Sequence, residues 1–504
     1  MASLRRFSAQ SVAIIGAGPS GLAAAKYFQA EKAFSKIVVF EQRGDVGGLW
    51  KYTPETGDGT FVVPQTNAHV GLESPIVQKS SSSQRRDSTT EATFISPIYE
   101  RLETNIPKSL MGYGDTKFPD SIQLFPGHAE VQQYLEDCAK PVLDLIKFRT
   151  QVDSVKFLQA TTSSDDSISE EWSVCSQNVT SGEEICEVYN AVVVASGHYS
   201  TPFVPEISGL QEWNQAFPGS ISHSKHYRRP EAFIGKKVIV VGNSASGLDI
   251  SSQISPFCKI VLLSQKSESY LAGGFASDSK IQSVSQISQF DSKIKTVHFC
   301  DGRIEEEVDS ILFCTGYLYT LPFLRDLSPN PIGDGSHIEH AYRHLLYAPH
   351  PTLSFLALPQ RVIPFPLSEA QSSVLARIYS GRLGVPSEAK MEAWETATIA
   401  EQGAGGDFHT LKFPKDANYI NSMHDWAVEA KSRNGLENGG QGKLPHRWGP
   451  WEYWARENFP VIRKAFVAKG EDRRNVTTLE EIGFDFDESS AQSDCSKANQ
   501  ERLG

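Results

Sequence analysis

Residues 11–41 read SVAIIGAGPSGLAAAKYFQAEKAFSKIVVFE, and this stretch decides the fold. The apolar, β-branched run 11–16 is typical of a buried parallel strand. The Ala- and Leu-rich run 19–31 predicts a helix, and the run 36–41 predicts a second strand. The turn between the first strand and the helix fits the pattern G-x-G-x-x-G, so the stretch predicts one strand–helix–strand unit of a dinucleotide-binding domain.

The residue types in this turn are those that bind a pyrophosphate. Glycines allow a tight turn and a close approach, and the helix N-terminus offers free N–H groups and the positive end of its dipole. Glu41 ends the next strand, where a carboxylate accepts a hydrogen bond from a ribose 2′-hydroxyl and repels a 2′-phosphate. We therefore expect FAD or NAD here, and not NADP. The expected contacts are Gly16, Gly18, Pro19, Ser20, Gly21, Glu41 and Gln42, with a second glycine segment at Gly48, Leu49 and Trp50.

A second unit of the same kind follows much later in the chain. It consists of a strand at 236–242, a helix at 245–254 and a strand at 259–264. Its turn replaces the central glycine by serine, and its expected contacts are Gly242, Ser244, Ala245, Ser246 and Gly247. The following strand ends at Ser264, with Lys266 two residues later and no acid. A hydroxyl and a cation suit a 2′-phosphate, so we expect NADPH at this unit.

The order of these units predicts the domain organisation. Two further apolar runs, 189–197 and 308–316, each end a segment that begins with one of the units. This nested pattern predicts an α/β fold with two Rossmann-like dinucleotide-binding domains, the NADP domain being inserted into the FAD domain. We place the FAD domain at 1–208 and 326–484, the NADP domain at 209–325, a flexible insertion at about 78–92, a similar polar loop at 160–170, a packed C-terminal helix within 445–470 and a disordered tail at 485–504.

Composition narrows the partners. The 504 residues carry a formal net charge of −12, which argues against nucleic-acid binding. No stretch reaches the roughly 18 apolar residues that a membrane span needs. The seven cysteines are scattered and include no C-x-x-C pair, so we expect neither a disulfide framework nor a metal site, and a cytoplasmic location. The expected partners are a small-molecule substrate and O₂, and a homodimer is left open.

Beyond the two turns, the chain resembles the flavin-containing monooxygenases, the class B flavoprotein monooxygenases. Residues 217–227, FPGSISHSKHY, fit the family fingerprint F-x-G-x-x-x-H-x-x-x-Y/F, with His223 and Tyr227 at fixed positions. Residues 309–322, DSILFCTGYLYTLP, and 102–115, LETNIPKSLMGYGD, are similar to two more family segments. The resemblance implies that Asn105 is a hydrogen-bond donor beside the flavin, that Val152, Gly316 and Gln371 join the FAD contacts, and that His223 and Tyr227 belong to the NADP region.

The resemblance implies NADPH- and O₂-dependent oxygenation of a soft nucleophile, an amine nitrogen or a thioether sulfur, through a hydroperoxide at the flavin C4a carbon. The chain lacks the hydrophobic C-terminal anchor of vertebrate members, so a soluble, fungal-like member is expected. Four alternatives are a Baeyer–Villiger oxygenase, against which Tyr227 argues, a flavin-dependent NADPH oxidase of secondary metabolism, a disulfide reductase, which needs a cysteine pair near the flavin, and a non-catalytic nucleotide-sensing scaffold.

Overall fold

The structure, a computed structural model, describes residues 4–56, 61–79, 90–164, 167–267, 269 and 278–487. In chain order its strands are β1 (Arg6–Phe7), β2 (Ser11–Ile15), β3 (Lys36–Phe40), β4 (Ile76–Lys79), β5 (Thr90–Thr93), β6 (Ile146–Lys147), β7 (Thr150–Thr162), β8 (Ser167–Asn178), β9 (Glu184–Tyr189), β10 (Ala191–Val194), β11 (Thr201–Pro202), β12 (Ile221–His223), β13 (Lys237–Val241), β14 (Ile260–Ser264), β15 (Ile281–Val284), β16 (Ile287–Asp291), β17 (Thr296–Phe299), β18 (Ile304–Glu306), β19 (Ser310–Phe313), β20 (Tyr317–Leu318), β21 (Ala341–Tyr342), β22 (Leu346–Tyr347) and β23 (Leu353–Phe355). Its α-helices are α1 (Pro19–Glu31), α2 (Lys108–Met111), α3 (His128–Ala139), α4 (Leu210–Ala216), α5 (Ala245–Ile254), α6 (Pro364–Tyr379), α7 (Glu388–Gln402), α8 (Lys415–Val428) and α9 (Pro450–Ala468).

The first sheet is built around the stretch that opens the chain. Its strand order is β21-β22-β23-β10-β2-β3-β6, and the pairs from β23 to β6 are parallel. Both faces of its central strands are covered, which is why β2 and β10 are almost continuously apolar. Helix α1 lies on one face and packs against α6. The predicted strands and helix of the first unit are confirmed.

The second sheet has the order β12-β19-β13-β14-β15, and all its pairs are parallel. Helix α5 follows β13 and packs against it, so the predicted second strand–helix–strand unit is also confirmed. Every strand of this sheet lies in the chain between β10 and β23 of the first sheet. A short antiparallel pair, β11 with β20, joins the two crossings between the sheets. The second Rossmann-like unit is therefore inserted into the first.

Two predicted loops are partly strands. Residues 160–170, expected to be a polar loop, belong mostly to the long antiparallel pair β7–β8, and residues 165–166 lie outside the described residues. Strand β8 buries alternate residues such as Trp172 and Val174, which stabilises a ribbon whose other face is polar. The insertion predicted at 78–92 begins and ends in the pair β4–β5, while residues 80–89 lie outside the described residues.

The expectation that the cysteines do not pair is wrong at one place. Cys175 on β8 lies directly opposite Cys186 on β9, and the two sulfur atoms form a disulfide. The pairing follows from the register of the hairpin, which brings together residues 11 positions apart in the sequence. A search for closely spaced cysteine pairs does not find such a pair.

The C-terminal region covers one end of the first domain. The predicted helix within 445–470 is confirmed as α9, whose Phe466 and Ile462 pack on Leu124 and Phe125. Residues 488–504 of the predicted tail lie outside the described residues. Among the helices in the described ranges, none is both long and apolar enough to cross a membrane. The boundaries after residues 208 and 325 remain predictions.

Candidate functional site

The first glycine turn is held by close backbone contacts. Gly16 has a φ of +105°, and a Cβ there would lie 2.7 Å from the Ala195 carbonyl oxygen. A Cβ on Gly21 would lie only 1.8 Å from the Gly16 carbonyl oxygen. Gly18 is different, because its backbone is extended and a Cβ would meet only Gly48 at an ordinary 3.4 Å. Gly16 and Gly21 are therefore required by the turn itself, and Gly18 is free to serve a ligand.

The second glycine segment lies against this turn. The Gly47 N–H donates to the Ala17 carbonyl at 3.0 Å, and a Cβ on Gly48 would lie 2.9 Å from the Gly18 Cα. Gly48 also has a φ of +57°. Two bare backbones thus face each other across the N-terminus of α1, which is the geometry that lets a diphosphate approach closely.

Glu41 is placed by backbone donors at the end of β3. The Ala17 N–H donates to its Oε2 at 2.7 Å and the Arg43 N–H donates to its Oε1 at 2.8 Å. The side chain is buried, and burial raises the pKa of Glu41. Each carboxylate oxygen accepts one protein hydrogen bond and keeps a lone pair for a ligand hydroxyl.

A single cavity of about 650 Å³ joins this turn to the rest of the predicted site. That volume lies within the usual range for cofactor and ligand pockets. The predicted residues that line it are Gly16, Gly18, Pro19, Ser20, Glu41, Gln42, Gly48, Leu49, Trp50, Asn105, Val152, Ala245 and Ser246. The predicted residues outside its lining are Gly21, His223, Tyr227, Gly242, Ser244, Gly247, Ser264, Lys266, Gly316 and Gln371.

The second glycine turn has the same backbone geometry as the first. Gly242 has a φ of +106°, and a Cβ on Gly247 would lie 1.8 Å from the Gly242 carbonyl oxygen. Ser244, at the central position, has φ −83° and ψ −166°, close to the −72° and −174° of Gly18. Any residue adopts that extended conformation, so the serine introduces no backbone strain. Ala245 and Ser246, at the N-terminus of α5, reach the cavity.

Two side chains after this turn, Ser264 and Lys266, are predicted to meet a 2′-phosphate, and only Lys266 is exposed to solvent. Ser264 is buried, and its hydroxyl donates to the Ser285 carbonyl at 2.9 Å. Its hydroxyl is thus engaged within the protein, which corrects the expectation that it faces a 2′-phosphate. Lys266 is exposed just beyond the strand. The candidate cation for a 2′-phosphate at this unit is therefore Lys266.

The two fingerprint residues are packed between the domains. His223 is fully buried, its Nδ1 accepts from the Lys225 N–H at 3.1 Å and its Nε2 donates to the Gly316 carbonyl at 3.1 Å. Burial lowers the pKa of His223 to about 3, so the ring is neutral. The Tyr227 hydroxyl donates to Gln253 at 3.2 Å, and its ring packs edge-on against Tyr99. Both side chains fix the linker between the sheets.

Gly316 and Gln371 likewise serve the protein scaffold. The Gly316 carbonyl accepts from the Phe203 N–H at 2.9 Å as well as from His223. The Gln371 side chain is fully buried, accepts from the Ala357 N–H at 2.8 Å and donates to the Tyr419 hydroxyl at 2.9 Å. Ala357 lines the cavity, so Gln371 acts on the site by positioning that backbone.

Asn105 lies in the cavity wall on the loop before α2. Its neighbours are fixed by backbone bonds, since the Thr104 N–H donates to the Pro126 carbonyl at 2.9 Å. Across the described part of the chain, no hydrogen bond engages the Asn105 side chain. Its amide is therefore available to a ligand in the cavity.

Sequence reasoning missed several polar groups of the cavity wall, and two of them have buried atoms without a hydrogen-bond partner among the described residues. His198 follows the parallel strand β10, and its Nε2 is buried with no hydrogen-bond partner among the described residues. Burial lowers the pKa of His198 to about 4, so the ring is neutral. Its position after a central parallel strand is a signal that could have identified it. Arg463 on α9 is the other, and nothing in its local sequence distinguishes it.

Comparison with known proteins gives consistent results. The model of the family described as flavin-binding monooxygenase-like matches residues 86–279 and 279–436, and that of the NAD(P)-binding Rossmann-like domain matches 14–74. The flavin-containing monooxygenase FMO GS-OX-like 9 of Arabidopsis thaliana is 34% identical over 398 residues, covering 77% of this chain and 79% of that protein. The flavin-containing monooxygenase ustF2 of Aspergillus flavus is 27% identical over 473 residues, covering 84% of this chain and 93% of that protein.

A solved structure resembles nearly the whole chain. The S-allyl-L-cysteine S-oxygenase of Allium sativum superposes with a TM-score of 0.71 at 27% identity. The alignment covers 98% of this chain and 100% of that one. The structural match therefore extends over both strand–helix–strand units of this chain and over its C-terminal helices.

Proposed function

The chain belongs to the flavin-binding monooxygenase-like family, and on that premise we propose that it uses FAD, NADPH and O₂ to oxygenate a thioether sulfur or an amine nitrogen. For a thioether, one molecule each of thioether, O₂, NADPH and one proton give the sulfoxide, NADP⁺ and water. Sulfur is the favoured atom because one similar structure is that of an S-allyl-L-cysteine S-oxygenase.

One observation carries the proposal. The cavity of about 650 Å³ is lined by the first glycine turn, by Asn105 and by the N-terminus of α5 in the second domain. A flavin nucleotide and a nicotinamide nucleotide held at the two turns would therefore meet in one cavity. When bound, the flavin supplies the redox chemistry between the nicotinamide and O₂, and the protein supplies position and electrostatics.

The residues of the first turn fit FAD. Gly18 and Gly48 leave room for the pyrophosphate, and the N-terminus of α1 offers N–H donors to it. Glu41 keeps acceptor capacity for the ribose hydroxyls. Asn105 supplies an uncommitted amide to the same cavity, where it can donate a hydrogen bond.

The second unit is proposed to hold NADPH. The N-terminus of α5 offers its free N–H groups to the pyrophosphate, as α1 does in the first unit. Lys266 is the cation assigned to the 2′-phosphate, and Gln265 stands directly after β14, where Glu41 stands directly after β3.

The cysteines bear on two predictions, the cytoplasmic location and the alternative function as a disulfide reductase. The Cys175–Cys186 disulfide removes the argument for a cytoplasmic location that rested on unpaired cysteines. We keep that location in the proposal because NADPH is regenerated by intracellular metabolism. The disulfide lies outside the lining of the cavity, which argues against a dithiol reaction with the flavin.

The test is a coupled measurement on the purified holoenzyme. FAD content, NADPH oxidation, O₂ uptake and product are measured together with methyl phenyl sulfide, with a tertiary amine and with cyclohexanone. We expect sulfoxide or N-oxide in proportion to NADPH, and slower turnover with NADH. Lactone from the ketone would indicate the Baeyer–Villiger reaction instead. Hydrogen peroxide equal to NADPH with every substrate would indicate an oxidase and contradict the proposal.

A further inference from the structure

Arg463 is a buried cation in the cavity wall that neither nucleotide turn explains. It lies on α9, and only 6% of its surface is exposed. Its Nη2 donates to Glu103 Oε2 at 3.1 Å. Its Nε and Nη1 are buried and have no hydrogen-bond partner in the described residues. Because an unpaired buried donor is costly, these N–H groups indicate that an acceptor belongs beside them.

The guanidinium is held in place by its neighbours. The rings of Phe125 and Phe466 lie 5.0 and 5.4 Å from its central carbon, within the range of cation–π contact. Glu103 is shared, since its Oε1 also accepts from the Nε of Arg473 at 3.2 Å. One carboxylate therefore serves two guanidinium groups, and the Nε–H and Nη1–H groups of Arg463 remain as donors for a further acceptor.

Arg463 and Asn105 face the same cavity, and Glu103, which binds Arg463, lies two residues before Asn105. Asp249 of α5 lines the cavity too and interacts electrostatically with Arg463. The Asp249 carboxylate is itself hydrogen-bonded by the Tyr99 hydroxyl and by Gln253. Arg463 is thus placed to hold one end of a substrate whose other end reaches the flavin.

We propose that Arg463 binds a carboxylate of the substrate, so that the preferred substrates are thioethers carrying a carboxylate, such as S-alkyl amino acids. This proposal rests on the proposed function and specifies its substrate class. A monoanionic carboxylate suits a guanidinium whose charge is partly balanced by Glu103. The phosphates of NADPH have their own donors in the N-terminus of α5 and in Lys266.

The test compares S-methyl-L-cysteine with its carboxamide, which differs only in the charged group. In the wild type we expect a higher kcat/KM for the acid. Arg463→Gln should lower kcat/KM for the acid by about 10- to 100-fold, through KM, the range expected for a lost charged hydrogen bond. The carboxamide, methyl phenyl sulfide and the KM for NADPH should change by less than about threefold. Arg463→Lys keeps the charge and should retain part of the preference.

Arg473→Gln is the matched control, because Arg473 binds the same Glu103 but lies outside the lining of the cavity. It should leave the ratio of acid to carboxamide unchanged. Equilibrium dialysis of S-methyl-L-cysteine against the oxidised holoenzyme gives a readout independent of turnover, and Arg463→Gln should weaken that binding to the same extent. Flavin content and melting temperature report whether each variant folds.

Several results would overturn the assignment. Equal losses on the acid and the carboxamide would indicate a structural role. A raised KM for NADPH with an unchanged ratio would assign Arg463 to the nucleotide. A wild type that oxidises methyl phenyl sulfide but does not prefer the acid would refute the Arg463 proposal alone. A wild type that oxygenates no sulfide or amine would refute the proposed function, and the Arg463 proposal with it.

Discussion

The variant Gly18→Ala tests whether Gly18 is required for folding or for flavin binding. Gly18 has φ −72° and ψ −174°, which alanine adopts without strain. Its new methyl would lie 3.4 Å from the Gly48 Cα, an ordinary contact. Replacing glycine by alanine at a helix N-cap lowers the free energy of unfolding by a fraction of a kcal/mol. Alanine also makes the unfolded chain less flexible, which raises the free energy of unfolding by about 0.4–1 kcal/mol. The free energy of unfolding of the apoprotein should therefore stay within about 1 kcal/mol of the wild type.

The same methyl group fills the gap between the two glycine segments, where the pyrophosphate is proposed to lie. We expect Gly18→Ala to purify largely without flavin. A ligand at 100 times its Kd stabilises a protein by about 2.7 kcal/mol, so added FAD should raise the melting temperature of the wild type and not that of the variant. The ratio of flavin to protein absorbance measures occupancy, and melting curves with and without FAD measure the linkage.

Gly21→Ala is the contrasting variant. Its methyl would lie 1.8 Å from the Gly16 carbonyl oxygen, so β2 or α1 must move. Overpacking of this kind lowers the free energy of unfolding by about 1–3 kcal/mol or more, so the apoprotein itself should be destabilised. Full flavin occupancy in Gly18→Ala, or equal loss of apoprotein stability in both variants, would refute the assignment of the first turn to FAD.

Three further predictions concern the second nucleotide, the oxygen chemistry and pH. Lys266→Ala should raise the KM for NADPH by about 10-fold and leave the KM for NADH nearly unchanged. Ser264→Ala is the control, because the Ser264 hydroxyl donates inside the protein, and it should not alter the preference for NADPH over NADH. Equal effects of Lys266→Ala on both nucleotides would contradict the assignment of Lys266. Asn105→Ala should still bind FAD and accept electrons from NADPH but release more hydrogen peroxide per NADPH, with product formation reduced by up to about 10²–10³-fold; an unchanged yield of product per NADPH would exclude a role for Asn105. Burial raises the pKa of Glu369 to about 7, above the 4.5 of the unfolded chain. The contribution of Glu369 to the free energy of unfolding is therefore fully present below pH 4.5 and is lost as pH rises through 7. The total loss is on the order of 3 kcal/mol. Denaturant titrations at pH 5 and 8 should show the wild type losing stability relative to Glu369→Gln, which keeps the acceptor for the Gly114 N–H, and parallel profiles would contradict this.

The parts of the fold that were predicted correctly are those encoded by local pattern. Buried parallel strands are nearly all apolar, and the glycines at their ends are imposed by contacts within a few residues. Helix α1 therefore has the predicted bounds, Pro19–Glu31, and α5 has Ala245–Ile254. The ribbon of β7 and β8 was missed because its exposed face is polar, and only the alternation of buried residues such as Trp172 identifies it.

Contacts between residues that are far apart in the sequence are the hardest features to predict from the sequence. The Cys175–Cys186 disulfide depends on the register of two strands, which no spacing rule for cysteines contains. Ser264 and Gln371 have the residue types that bind nucleotides, yet their polar atoms are engaged within the protein. Arg463 stands out only because two of its N–H groups lack partners in the described structure. Hydrogen-bond satisfaction, which a sequence does not display, decides between these cases.

The serine in the second glycine turn illustrates what a motif requires. The outer glycines are fixed by the turn, since Gly242 has a positive φ and Gly247 lies against the Gly242 carbonyl, as Gly16 and Gly21 do in the first unit. The central position is extended in both turns, so the backbone does not restrict which residue stands there. Ser244 is exposed beside the N-terminus of α5, where a hydroxyl can donate to a phosphate oxygen. A departure from the pattern at this position therefore leaves the turn intact, and under the proposed function it would change which group faces the nucleotide.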